Sequence, residues 1–320
     1  GKQGLPLYPV SASNFEQWLS SLSGLQQKWV KASGFKAEAG ELCSMPDGNG
    51  ELQGFAFGMA EEGWLYQLSP LVAKLPAGNY SLESDWTSEQ RFQASLGWGL
   101  ACYQFDLYVK PENETPTLEL ADDIVTGVGQ LFEAQSLVRD LVNTPTEDLG
   151  PEQLADAMQV EAEQFDARMS VIHGIDLLTR NFPAIHAVGR ASDREPRLLK
   201  LEWGDSDHPL LALCGKGVCF DTGGLNLKQG NGMALMKKDM GGAAHVLALA
   251  RLIMQAKLPV HLLVLIPAVE NSVSGNAYRP GDVIPTRKGL SVEIGNTDAE
   301  GRVVLADALA YACESEPDLV

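Results

Sequence analysis

The stretch from residue 242 to residue 266 constrains the fold of this chain more than any other. A long apolar helical pattern, residues 242–255, leads at once into residues 260–266 (VHLLVLI), a near-continuous apolar strand. A strand without polar alternation is buried on both faces, so this one belongs inside a sheet covered by helices, hence α/β. Shorter apolar runs at residues 198–203 and 210–214 supply further strands, and residues 302–313 read as another helix with Val303, Ala306, Leu309, Ala310 and Cys313 along one side. Residues 318–320 read as the opening of one more strand, where an α/β domain is expected to continue.

Upstream the pattern changes. Residues 52–59 (LQGFAFGM) read as a strand, and residues 63–75 and 88–103 carry helical apolar spacing. The polar, Pro-containing segment 110–116 (KPENETP) reads as a linker. A helix over 122–142 is expected to bury Val125, Val128, Leu131, Phe132, Ala134, Leu137, Val138 and Leu141. It stops at Asn143-Thr144-Pro145, because proline disfavours helical geometry in the residue before it. Pro151 suits the first turn of the next helix, to Gln164. With 320 residues the chain suits two domains rather than one. The expected division is a small N-terminal α/β domain over 1–115, a linker helix region over 116–150, and a larger α/β domain over 151–320. The sheet of that larger domain is expected to be mixed, mostly parallel and covered by helices.

Charge narrows the partners. The formal net charge is −18, which repels phosphate backbones and anionic lipid, so neither nucleic acid nor membrane is an expected partner. The five cysteines form no CxxC pair or disulfide-scaffold spacing, which fits a reducing, cytoplasmic setting.

Three constellations carry chemistry. The first, residues 215–224 (GKGVCFDTGG), follows a strand, so Lys216 and Asp221 emerge where ligands of open α/β sheets gather; Lys228 follows. It is not a phosphate loop, because Lys216 is followed by Gly217 rather than Ser or Thr. The second, residues 236–244 (MKKDMGGAA), places Asp239 before the long apolar helix, where capping is the plainer reading. The third, residues 294–302 (IGNTDAEGR), sets Asp298 and Glu300 two apart before a helix, with Arg302 behind them. Capping plus a solvated turn is again the plainer alternative. Together the acids make a hard-cation site suited to Mg²⁺, Mn²⁺ or Zn²⁺. The histidines stand singly without HExxH, and no GxSxG elbow occurs.

GKGVCFDTGG, Lys228, MKKDMGGAA and NTDAEGR, in this order and spacing, closely resemble the catalytic segments of the leucyl (cytosol) aminopeptidase family. Residues 141–145, 267–271 and 279–283 are similar to family segments too, so the resemblance runs from residue 122 onward. It implies that the larger domain is catalytic. It also implies that Lys216, Asp221, Asp239, Asp298 and Glu300 ligate two divalent metal ions (zinc, manganese or magnesium), with Asp221 and Glu300 bridging. By the same resemblance Lys228 stabilises an oxyanion and Arg302 holds a bicarbonate that relays a proton. Met236 and Asn296 line the substrate pocket. The implied substrates are peptides whose N-terminal residue, leucine or similar, is removed, and the implied assembly is a homohexamer. The family continues past the position of Val320 into segments that complete the sheet and the substrate pocket, so the catalytic domain is expected to be truncated here. Two other readings remain. Some relatives bind DNA, which the acidic balance opposes; a member without activity is opposed by the intact set of acids and lysines.

Overall fold

The computed structural model describes residues 4–112 and 114–320; Asn113, inside the expected linker, lies outside the described residues. In chain order the elements are β1 Leu5–Val10, α1 Phe15–Ser21, α2 Gly24–Ser33, β2 Leu42–Pro46, β3 Leu52–Gly58, β4 Asn79–Leu82, α3 Ser88–Cys102, β5 Thr117–Leu118, α4 Val125–Asn143 and α5 Pro151–Gln164. There follow β6 Arg168–His173, α6 Asp176–Thr179, α7 Pro183–Gly189, β7 Arg197–Trp203, β8 Leu210–Cys214, β9 Gly217–Asp221, α8 Gly241–Gln255, β10 His261–Asn271, β11 Val283–Pro285, β12 Ser291–Glu293 and α9 Glu300–Glu314. The chain divides into two compact units, Gly1–Ser136 and Leu137–Val320, and the division falls inside α4.

The first unit is a five-stranded sheet of order β2-β3-β1-β4-β5, antiparallel only at β2/β3. Alternation along β3 sends Phe55 and Phe57 into one apolar cluster with Tyr80 and Trp98, and Ala56 into another with Val30 and Met45. The helical pattern expected over 63–75 is not one helix but two short 3-10 turns, Trp64–Tyr66 and Ser69–Leu71. Gly63 enters at φ +82°, and Pro70 removes an amide while disfavouring helix in the residue before it. In α4, Val128, Ala134, Val138 and Leu141 are buried as expected, but Val125 stands in the first turn and is exposed.

The second unit has the mixed sheet β6-β7-β10-β8, with β9 also paired to β10. The β6/β7 and β7/β10 pairs are antiparallel, and β10/β8 and β10/β9 are parallel. A further parallel bridge joins Leu211 to Leu319. Helices cover both faces. Leu263, Leu265 and Val269 of β10 pack with Ile185 and Val188 of α7 and Val304 and Ala308 of α9. The alternate residues Leu262, Val264 and Ile266, wholly buried, face the side on which α5 and α8 lie. Fully burying each such side chain contributes about 1.5–3 kcal/mol.

The sequence pattern ends this central strand at Ile266, before Pro267; the structure carries it on to Asn271. The reason is positional. β8 pairs with His261 to Leu265 and β9 with Ala268 to Asn271, so Pro267 falls between the two ladders, where its missing N–H costs no bond on that side.

Candidate metal and catalytic site

β8 and β9 follow one another along the same edge of β10, β8 ending opposite Leu265 and β9 opposite Asn271. Both α8 and α9 begin beside the junction, with Gly242 and Gly301 against Lys216. Lys216 follows β8, Asp221 closes β9, and Asp239 lies in a 3-10 turn (Met236–Met240) in front of α8. Asp298 and Glu300 lead into α9. Asp221, Asp298 and Glu300 each offer an oxygen within 4.8 Å of the others. Lys216 ties in Asp239: its Nζ lies 2.9 Å from Asp239 Oδ1 and 2.7 Å from Glu300 Oε1. Lys228 Nζ lies 2.7 Å from Asp221 Oδ2 and donates to Asp298 Oδ1.

Local backbone chemistry sets these positions. Gly223 and Gly224 take φ of +87° and +62°, and a Cβ on Gly224 would meet Thr297 Oγ1 at 2.9 Å. Thr297 stitches that loop down: its N–H donates to Asn226 Oδ1 (2.8 Å), its hydroxyl donates to Gly223 O (2.6 Å), and Asn226 N–H donates to that hydroxyl (2.8 Å). The capping readings of Asp239 and Asp298 do not hold. The first turn of α8 is met by the Lys216 carbonyl, which accepts from Ala243 N at 2.9 Å, and the turn before α9 is capped by Asn296, which accepts from Asp298 N at 2.8 Å. Both acid side chains are thereby left facing lysines.

The electrostatics follow from burial and pairing. Burial disfavours the Asp221 carboxylate, yet Lys228, the Gly223 amide and Asn271 outweigh it and hold its pKa below the usual range. Burial also opposes the Lys216 and Lys228 ammonium groups, but their paired carboxylates raise both pKa values. Asp239 goes the other way: burial, helped by the Glu300 and Asp221 charges, overrides Lys216 and pushes it up to about 6.

The donor set fits divalent cations. Glu300 is 1% exposed; its Oε1 has the Lys216 ammonium beside it while its Oε2 has no donor, and Asp239 Oδ2 is likewise buried without one. Buried acceptors are normally satisfied, and oxygens from four clustered carboxylates are what hard cations take. Lys216 is the unusual member, since it must shed its proton before its nitrogen can coordinate. Asn296 and Arg302, both exposed, line an adjoining cavity of 360 Å³ with Val292, Ile294 and Val303. Met236, half-buried, opens the turn that carries Asp239.

Sequence reasoning passed over the residues that hold this cluster together. Asn271 Nδ2 donates to Asp221 Oδ1 at 2.7 Å and to Thr297 O at 3.0 Å, and Tyr278 Oη donates to the same Thr297 carbonyl at 2.7 Å. The available signal for Asn271 was a polar amide closing an apolar strand. Thr297 stood inside the third motif, between Asn296 and Asp298, with no role assigned to it.

Comparison with known proteins identifies the family. Residues 136–320 match the catalytic domain of the cytosol aminopeptidase family, and residues 5–121 match the N-terminal domain of M17 aminopeptidases. The chain belongs to the cytosol aminopeptidase family. Among its relatives, the probable cytosol aminopeptidase of Roseiflexus castenholzii is 39% identical over 237 residues, 69% of this chain and 49% of that protein. The chain thus spans about half the length of the curated relatives it matches. The 1.8 Å crystal structure of cytosol aminopeptidase from Coxiella burnetii superposes with a TM-score of 0.96 at 47% identity, covering 100% of this chain and 70% of that one. The bottromycin maturation enzyme BotP in complex with Mn gives 0.83 at 29% identity, covering 96% and 68%. Among the described residues, no helix of this family member is long and apolar enough to cross a membrane.

Proposed function

We propose that the complete protein is a two-metal aminopeptidase that removes N-terminal residues, leucine and similar ones preferred, from peptides. The observation that carries this reading is the meeting of Asp221, Asp298 and Glu300 oxygens within 4.8 Å, beside buried carboxylate oxygens that no donor satisfies. Lys216, Asp221, Asp239, Asp298 and Glu300 would hold the ions, with Asp221 and Glu300 shared between them. Two divalent ions there would supply a water acidified toward neutrality and a Lewis acid for the scissile carbonyl. Manganese in BotP supports Mn²⁺ as one acceptable metal, and the carboxylate set admits Zn²⁺ and Mg²⁺ as well.

The chain's own groups do the rest. Lys228 is held protonated by Asp221 and Asp298, so it presents a fixed cation to the oxyanion that develops on the substrate carbonyl. Arg302 would hold bicarbonate beside that point, and Met236 and Asn296 would bound the side-chain pocket. Homohexameric assembly and a cytoplasmic setting belong to the same proposal. The relatives' name, cytosol aminopeptidase, supports the setting.

The test is hydrolysis of a leucine anilide by the complete protein, with chelator and after return of Mn²⁺ or Zn²⁺, beside Asp298→Ala and Glu300→Ala. Activity should vanish with chelator and return with metal. In both variants it should fall by more than the ~100-fold typical of losing a group that merely supports a ligand. Chelator-resistant hydrolysis, or full activity in Glu300→Ala, overturns the reading.

A further inference from the structure

The pairing of β9 with β10 contains an irregularity whose position bears on the site. From Ala268↔Gly217 and Val269↔Val218 the register jumps to Glu270↔Phe220 and Asn271↔Asp221. Cys219 is the extra residue: two residues of β9 follow Val218 where one would keep step. A regular ladder would set Asn271 opposite Phe220. A one-residue change of register exchanges the faces of every side chain beyond it, and bulges beside active sites commonly serve to re-aim one. The displaced residue is accommodated, since the Cys219 carbonyl accepts from Thr146 Oγ1 at 2.8 Å.

The bulge therefore makes Asn271 and Asp221 direct neighbours. Asn271 is 1% exposed, and its amide nitrogen spends both hydrogens on the site, one on Asp221 Oδ1 and one on Thr297 O. Asp221 Oδ1 takes a second bond from Gly223 N at 2.8 Å. With Oδ1 so committed, Oδ2 is the oxygen left to face Lys228 and the other acids. The Thr297 bond fixes the turn that carries Asp298 and Glu300. One amide thus sets both the orientation of the first acid and its spacing from the other two.

We infer that Asn271, delivered by the Cys219 bulge, is the positioning residue of the metal centre: it selects which Asp221 oxygen a metal meets and locks the β9 acid against the Asp298–Glu300 turn. This rests on the two-metal reading above. Asn271 acts through the groups its amide bonds, Asp221 and the Thr297 carbonyl.

Tyr278→Phe separates this role from plain structural support, because it removes the other bond to Thr297 O and leaves Asp221 untouched. The experiment is calorimetric titration of the metal-free complete protein with Mn²⁺, for wild type, Asn271→Ala, Asn271→Asp and Tyr278→Phe, with a melting temperature for each. Asn271→Ala should weaken Mn²⁺ binding by about 10- to 100-fold, as loss of a ligand's supporting partner does. Its kcat for a leucine anilide should recover at saturating metal, with KM little changed. Asn271→Asp, which sets an acceptor against two acceptors, should bind no better than Asn271→Ala. Tyr278→Phe should bind Mn²⁺ within about threefold of wild type, even where its melting temperature falls as far. Equal weakening in Tyr278→Phe and Asn271→Ala at equal melting temperature overturns the inference, as does wild-type affinity in Asn271→Ala. Wild-type protein that binds no Mn²⁺ overturns the two-metal reading first and this inference with it.

Discussion

Asp307 lies outside the acid cluster, yet it is wholly buried in the middle of α9 and accepts three backbone N–H groups. Its Oδ2 takes Ala184 N (2.8 Å) and Ile185 N (3.3 Å), the otherwise orphaned amides at the start of α7, and its Oδ1 takes Arg287 N (2.8 Å). Only a group that accepts on both atoms meets all three, which a carboxyl group does and an amide cannot. Burial raises the Asp307 pKa, and the Arg287, Ala184 and Ile185 amides offset it only in part. Asp307→Asn turns one acceptor into a donor facing a donor, so it should cost about 1–3 kcal/mol in urea denaturation. The pH dependence has a definite sign. A carboxyl whose folded pKa is raised contributes stability that is fully present below its ordinary value of 3.8 and lost as pH rises through the folded value. The deficit of the asparagine variant, which does not titrate, should therefore be largest at the acid end and shrink toward neutrality. A deficit that grows with pH would show the amides overcompensating burial.

At the level of elements, α9 shows how a helix start is shaped by its site. Alanine is a better helix former than glycine by about 1 kcal/mol, yet position 301 is glycine in the first turn. A Cβ there would meet Lys216 Cε at 2.6 Å and Nζ at 2.7 Å, because the lysine stem crosses Gly301 to reach Asp239 and Glu300. The obstacle is the end of a flexible chain, so Gly301→Ala should keep its melting temperature or raise it while pushing Lys216 aside. The expected outcome is at least a tenfold loss of leucine-anilide hydrolysis and of Mn²⁺ affinity, from loss of one proposed ligand. Unfolding in place of inactivation would show the helix, not the lysine, giving way. The same contrast explains what the sequence could disclose. Periodicity and composition placed α3, α5, α8, β3 and β8 well, because propensity and burial agree along each of them. Pairing decided the rest. The extent of β10 past Pro267 depends on where two neighbouring ladders stop, and the turns at 64–71 depend on Gly63 and Pro70 overriding an apolar spacing. The acids and lysines were legible as motifs. Whether Asp239 and Asp298 cap helices was not, since the Lys216 carbonyl and Asn296 do that work from outside the pattern.

For the whole molecule the question is how far metal binding reaches. Each unit has its own apolar core, and every clustered acid and lysine of the site belongs to the second unit, Leu137–Val320. The site sets four carboxylates against two ammonium groups in a chain of net charge −18, so dications there relieve local repulsion as well as filling unsatisfied oxygens. Ligand at a hundredfold excess over its Kd stabilises the native state by about 2.7 kcal/mol. That gain appears only in openings that break the site, because an opening that leaves the ligands in place keeps the metal. Hydrogen exchange read by mass spectrometry on the complete protein resolves such openings peptide by peptide. Added Mn²⁺ should slow exchange in peptides spanning 214–228, 236–245 and 294–304, the segments that bring the ligands together. Peptides of residues 5–110 should exchange as before, since none of the site lies there. Slowing that extends equally into residues 5–110 would mean that the site's ligands separate only when the entire chain opens. No slowing in the three site segments would leave the acid cluster without a metal to explain it.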